Sequence, residues 1–301
     1  MRTKIVVALL TDQQDFQVKQ AEDARAAAAR AGLEIEVVFA QGNAVLQVHQ
    51  IFGYVYLPRE RRPAAIVVES VAPDGLKSVA KSAAEMGISW ILLSSHEPYL
   101  NALQKDFPAL LISSATADDE EIGRIQARHF RALLRNKGSV LYIEGPALSV
   151  TSQTRRRTLD DGLRGSNVRI AKTLRADWTE AGAKHVVSSW VQLKLDPGLR
   201  PDLIAAQNDT MAVGAREALL VGRSEWVDIP MTGCDGLPNG GQELVKRGVL
   251  AATIVKPTTA GAGVALVARA LRGGSLPPSP VILSPQSYPP VESLMEHTIK
   301  K

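Results

Sequence analysis

Along this chain, short runs of apolar, mostly β-branched residues alternate with longer segments whose apolar positions recur at helical spacing. Residues 4–10 predict a strand, 18–31 an Ala-rich helix stopped by Gly32, and 34–40 a second strand. Strands at 64–68 and 89–93 flank a helix at 74–86, and 109–112 predicts a further short strand. A second series follows, with helix 120–134, strand 139–144, helix 155–163, strand 169–174 and helix 180–193. It continues through strand 203–206, helix 210–220, strand 230–234, helix 240–247 and strand 251–255. Helix 257–271 has Pro257 in its first turn and stops at Gly273-Gly274. Regular β–α alternation predicts parallel, doubly wound sheets, so the fold class is α/β.

These strands are too many for one ordinary open sheet, and each series suffices for a sheet of its own, which predicts two similar lobes. In open α/β sheets, ligands bind beyond the carboxyl ends of the strands. The segments in that position are 11–16, 69–73, 94–99, 145–154, 207–209, 235–239 and Lys256. They carry Gln13, Gln14, Glu69, Ser94, Ser95, Asn208, Asp235 and Lys256, a set suited to orienting a polar molecule. Phe16 and Trp178 are candidate aromatic walls, because a sugar ring presents an apolar C–H face. Helix capping is the competing explanation for such residues. It is the preferred one for Asp209, which precedes Thr210-Met211-Ala212.

Composition removes several function classes. Among 301 residues, 45% are hydrophobic and 22% charged, which describes a globular chain, and a formal charge of +4 is small for this length. Apart from 59–62 and Arg155-Arg156-Arg157, the basic residues are scattered, without the stripe expected of a nucleic-acid binder. Cys234 is the sole cysteine, so no intrachain disulfide is possible. No apolar stretch is long enough to span a bilayer, and residues 5–10 are followed by Thr11-Asp12-Gln13 rather than by a cleavage site. Two expectations follow: a mature periplasmic form whose export signal has been removed, or a cytoplasmic protein. No Walker loop, Gly-x-Ser-x-Gly or His-Glu-x-x-His occurs, so no catalytic residue is assigned. His49, His96, His129, His185 and His297 lack ligand-like spacing; neither metal nor cofactor is expected. Gly261-Ala262-Gly263 is an incomplete dinucleotide fingerprint inside a helix, better explained by close packing.

The stretch from Gln207 through Asn208-Asp209-Thr210-Met211-Ala212 to Ala215 resembles the type I periplasmic sugar-binding proteins, whose fold is shared by repressor cores of the lac-repressor type. Gly233-Cys234-Asp235-Gly236 matches that family's Asp-Gly loop, and Gly248 with Leu250-Ala251-Ala252-Thr253-Ile254 matches the strand leading back to the first lobe. The segment from Phe16 to Gly32 follows the family's opening pattern. The resemblance implies two lobes joined by three crossovers, near Ser114-Ala115, Lys256-Pro257 and 282–284, with a ligand in the cleft between them. The expected lobes are 1–114 with 257–282, and 115–256 with 283–301. It also implies that Asn208 and Asp235 bind ligand hydroxyls, that Phe16 and Trp178 stack on the ring, and that Gln13 and Gln14 stand beside Phe16. The resemblance further implies that an arginine opening the helix after Gly145-Pro146 clamps ligand oxygens; the pattern favours Arg155, with Arg156 and Arg157 as alternatives.

Departures from the pattern concern the ligand. Ser94-Ser95 stands where sugar binders commonly have Asp-Arg, Glu69 where Asn is frequent, and Lys256 where Gln is frequent. The expected ligand is a sugar, a sugar acid or a polyol. The implied role is the solute-binding component of an ABC transport system, closing on its ligand without chemistry and presenting the closed form to a permease or sensor as a monomer. The competing role is a cytoplasmic ligand-sensing module related to transcriptional regulators but lacking a DNA-binding domain.

Overall fold

The β–α alternation folds into two separate parallel sheets in a computed structural model, which describes residues 3–72, 75–193, 200–275 and 279–297. Two units result, Met1–Ala117 with Thr258–Leu283, and Asp118–Pro257 with Ser284–Lys301. The chain starts with β1 (Lys4–Leu9), α1 (Asp15–Ala31), β2 (Glu34–Phe39), α2 (Ala44–Val55) and β3 (Ala65–Glu69). It continues with α3 (Lys77–Glu85), β4 (Ser89–Leu93), α4 (Tyr99–Asp106) and β5 (Ile112–Ala117). The second unit begins with α5 (Asp119–Leu133), β6 (Lys137–Glu144), α6 (Val150–Leu163), β7 (Asn167–Arg175) and α7 (Glu180–Gln192). Then come β8 (Leu203–Ala206), α8 (Asp209–Gly222), β9 (Met231–Thr232), α9 (Gly241–Lys246) and β10 (Thr253–Val255). α10 (Ala260–Leu271) and β11 (Val281–Leu283) return to the first unit, and β12 (Gln286–Tyr288) and α11 (Val291–His297) to the second.

In the first unit the strand order is β11-β5-β4-β3-β1-β2, and every pairing is parallel. Both faces are apolar, as crossover helices require. Val6, Ala8, Ile66, Val68, Trp90 and Leu92 face one core, with residues of α2, α3 and α4. Their alternates Ile5, Val7, Leu9, Val67, Ile91 and Leu93 face the other, under α1 and α10. Gly263 explains the close seating of α10: a Cβ there would lie 2.9 Å from Val67 Cγ1, which bears out the packing explanation of Gly261-Ala262-Gly263. The second unit repeats the plan with order β7-β6-β8-β9, all parallel, beside an antiparallel β10–β12 pair. Strand order reverses between β1 and β3 in one sheet and between β6 and β8 in the other. Each reversal opens a crevice at the carboxyl edge of its own sheet.

Several boundaries differ from expectation. The strand expected at 109–112 lies instead at Ile112–Ala117, because Ser-Ser-Ala-Thr-Ala forms a buried strand without an apolar run. α2 and α4 were not anticipated, nor were the terminal elements β12 and α11. The helix expected from residue 74 is observed from Lys77; Asp74, like Pro73, lies outside the described residues. α6 starts at Val150, capped by Ser149, so Arg155 sits in its second turn rather than opening it.

Candidate ligand-binding site

In the first unit, the turn after β1 is held by Thr11, whose hydroxyl accepts from Gln13 N at 3.2 Å and donates to Gln41 Oε1 at 3.0 Å. Gln13 is exposed, and Gln14 precedes α1 without capping it through its side chain. Phe16, expected in this loop, belongs to the first turn of α1 and is buried. Beyond it, Gln17 and Gln20 lie one turn apart on the buried face of α1. They reach the end of β3, where Glu69 Oε2 accepts from Gln17 Nε2 at 2.9 Å and from Gln20 Nε2 at 3.2 Å. Gln47 of α2 donates to the Glu69 carbonyl at 2.7 Å. Each amide oxygen is in turn used by backbone N–H groups: Leu10 for Gln17, Thr259 and Ala260 for Gln20, and Val71 for Gln47. Only a carbonyl oxygen can accept those bonds, so the amide orientations are fixed. Ser94 has φ +62° after β4, with its hydroxyl 3.5 Å from Thr259 Oγ1; Ser95 is half-buried. The first unit therefore gathers Glu69 and Ser94 through Gln20 and Thr259, and joins α1 to them through Gln17.

In the second unit, Arg155 is 2% exposed and its guanidinium is held on several sides. Nε donates to Asp119 Oδ1 at 2.8 Å and Nη1 to the Gln207 carbonyl at 2.9 Å. Nη2 lies 2.8 Å from the same Asp119 oxygen, yet is not aligned to hydrogen-bond it or any other described acceptor. Burial opposes the charge, but Asp119, Cys234 and Asp235 outweigh it and hold the guanidinium above its ordinary pKa. Its neighbours differ: Arg156 pairs with Glu144 and Asp160, and Arg157 with Glu120 at the surface. The Trp178 ring lies 5.9 Å from the Arg155 guanidinium and close against Gly145, where a Cβ would come within 2.1 Å of Trp178 Cζ2. Trp178 has φ +72°, a strained value for a bulky residue, and its carbonyl accepts from Asn208 Nδ2 at 2.9 Å. Asn208 also caps α8, its Oδ1 accepting from Met211 N at 2.8 Å. Asp235 has φ +107°, and Lys256 N donates to its carbonyl at 3.2 Å. Arg155, Trp178, Asn208, Asp235 and Lys256 thus converge at the carboxyl edge of the second sheet.

The sequence matches the periplasmic binding protein domain family over residues 5–275. The chain belongs to that family. Among curated relatives of this periplasmic binding protein, a xylitol-binding protein of Mycolicibacterium smegmatis is 25% identical over 240 residues, 78% of this chain and 64% of the relative. A candidate rhizopine-binding protein of Rhizobium meliloti is 25% identical over 197 residues, 64% of this chain and 60% of the relative. These matches therefore span less than two thirds of the relatives' own length. A solved ABC transporter solute-binding protein from Actinobacillus succinogenes with bound D-allose has a TM-score of 0.81 at 18% identity, covering 98% of this chain and 100% of that one. The Caulobacter myo-inositol-binding protein has a TM-score of 0.78 at 21% identity, covering 98% and 95%. The fold is the type I periplasmic binding protein fold. No helix among the described residues is long and apolar enough to cross a membrane.

One expectation for the periplasmic binding protein is overturned: Asn208, not Asp209, caps α8. The Asp209 carboxylate turns inward, accepting from Thr253 Oγ1 at 2.6 Å and Gly236 N at 2.7 Å. Gly233 and Gly241 enclose it, since a Cβ at either would lie within 2.2 Å of a carboxylate oxygen. Burial first, then the charge of Asp235, raises its pKa well above the aspartate value. Burial likewise pushes the Cys234 thiol up to about 12. Sequence reasoning missed the organising glutamines. Gln207 is fully buried; its side chain accepts from Gly145 N and Ser152 Oγ and donates to the Ser152 carbonyl. Gln17 and Gln20, at helical spacing on a buried helix face, were the signal available for the first unit.

Proposed function

We infer that this protein binds a small polyhydroxylated molecule, a sugar or polyol, and performs no chemistry on it. The observation that carries this reading is the second-unit cluster. Trp178 is held in a strained conformation beside the buried Arg155, with Asn208 and Asp235 adjacent. Backbone strain of this kind concentrates at functional sites. An aromatic face supplies apolar contact for ring C–H groups, while carboxylate, amide and guanidinium meet hydroxyls. Binding of polyols and sugars by the relatives and by proteins of this fold agrees with it. The Arg155 charge already faces Asp119, which favours a neutral ligand over a sugar acid. On this reading the protein works outside the cytoplasmic membrane and delivers its ligand to an ABC permease.

A calorimetric and thermal-shift panel of pentoses, hexoses, sugar acids, linear polyols and cyclitols tests the reading. A true ligand at a hundred times its Kd stabilises the protein by about 2.7 kcal/mol and is recovered unaltered by mass spectrometry. Absence of saturable binding across the panel sinks the binding role, and conversion of a bound compound sinks the non-enzymatic one.

A further inference from the structure

Glu69 is the feature of the first unit that hydroxyl recognition leaves unexplained. It ends β3, beside the point where strand order reverses, and is 8% exposed. Its hydrogen bonds come from two neutral amides, both directed to Oε2. Oε1 accepts none among the described residues, where Glu69 also makes no ion pair. The amides cannot be flipped, because the oxygens of Gln17 and Gln20 already face backbone N–H groups. A glutamine at 69 would accept the same two bonds through its carbonyl oxygen, without placing a charge there. A carboxylate oxygen left open in a cradle otherwise made of neutral amides attracts a cationic donor more strongly than an amide oxygen would. The second-unit arginine differs on this point, because Asp119 already faces it.

We propose that Glu69 is a specificity-determining residue that receives a protonated amino group, so that the preferred ligand class is an amino sugar or amino polyol. The proposal rests on the binding reading above and names the ligand class of that site. The ammonium donates to Oε1, which keeps its position because Gln17 and Gln20 hold Oε2 from α1. A neutral hydroxyl can occupy the same place, with a weaker bond to the carboxylate. The preference between matched ligands therefore measures the charge at Glu69.

The experiment is calorimetry at pH 7 with matched pairs differing by one hydroxyl exchanged for ammonium: glucose and glucosamine, galactose and galactosamine, sorbitol and 1-amino-1-deoxysorbitol, inositol and inosamine. In at least one pair the amine is expected to bind about tenfold or more tightly than its parent, with an advantage that shrinks as salt rises. In Glu69→Gln the amine-to-parent ratio of that pair should fall to unity or invert. Circular dichroism and melting temperature establish that the variant is folded, and the wild-type ratio stands whether or not it is. If neutral members bind and no amine binds better, the proposal is overturned while the binding reading stands. The same holds if the amine preference survives Glu69→Gln. If no member of any pair binds, the proposal is overturned and the wider panel above decides the binding reading.

Discussion

Replacing Gly145 by alanine tests the geometry of the second-unit cluster most directly. The added Cβ would lie 2.1, 2.3 and 2.5 Å from Cζ2, Cη2 and Cε2 of Trp178, against an ordinary contact of at least 3.4 Å. The ring must retreat by more than an ångström. Its backbone gives little room, since Trp178 is already at φ +72° and its carbonyl holds Asn208 Nδ2. Overpacking of this kind costs about 1–3 kcal/mol. At about 2–4 °C per kcal/mol for a unit of this size, the melting transition should drop by roughly 2–12 °C. Ring displacement also removes an aromatic contact of about 0.5–1.5 kcal/mol, weakening sugar affinity about two- to twelvefold. The control is a double-mutant cycle with Trp178→Ala, which removes the atoms the new methyl strikes, so the double variant should regain the stability lost to the clash. Differential scanning calorimetry and titration calorimetry read both effects. An unchanged melting temperature in Gly145→Ala, or a loss that Trp178→Ala does not relieve, refutes the placement of the ring.

Arg155→Ala leaves Asp119 without its buried cation and should cost about 3–5 kcal/mol in urea unfolding, whereas Arg157→Ala at the surface should cost less than about 1 kcal/mol; equal effects would contradict the assignment of the inward arginine. Asp209 has a raised pKa in the folded state, so its contribution to stability is greatest below the ordinary aspartate range and declines as pH rises through the folded value. Denaturation curves of wild type and Asp209→Asn should therefore shift in favour of the variant as pH rises above about 4, and parallel pH profiles would exclude that charge. Cys234, buried with its thiol pushed up to about 12, should resist a disulfide-exchange reagent at pH 8 in the native protein and react on unfolding. Labelling at the rate of a model thiol would contradict its burial.

The parallel two-sheet plan was legible because strands such as Ile5–Leu9 and Ile66–Val68 are apolar on both faces and leave an unbroken signal. β5 lies later than the apolar pattern predicts because small polar residues, Ser113 and Ser114, occupy its buried positions. The cap of α8 was assigned one residue late, since Asn208 and Asp209 are both good capping types and the choice depends on Thr253, 44 residues away. The family resemblance points to an arginine near 155, but the partner that fixes Arg155, Asp119, lies 36 residues earlier and is invisible to a local pattern. The glutamine cradle around Glu69 joins positions separated by 49 and 52 residues, and a further 239 links Gln20 to Thr259. Such networks form only when tertiary structure brings distant amides together.

The return of the chain to its first unit after residue 257 has a consequence for biosynthesis. α10 supplies Ala260, Val264 and Val267, which cover one face of the first sheet, and β11 adds its outer strand. Both are translated only after the whole of Asp118–Pro257 has been made. At ribosomal speeds of about 5–20 residues per second, Ile5, Val67 and Ile91 stay only partly covered on the nascent chain for on the order of ten seconds. During that interval the half-built sheet presents an apolar face and an unpaired edge, the combination that recruits holding chaperones and punishes slow translation. Slowing elongation between residues 118 and 257 should therefore lower the soluble yield of the whole chain, whereas the same slowing after residue 283 should not.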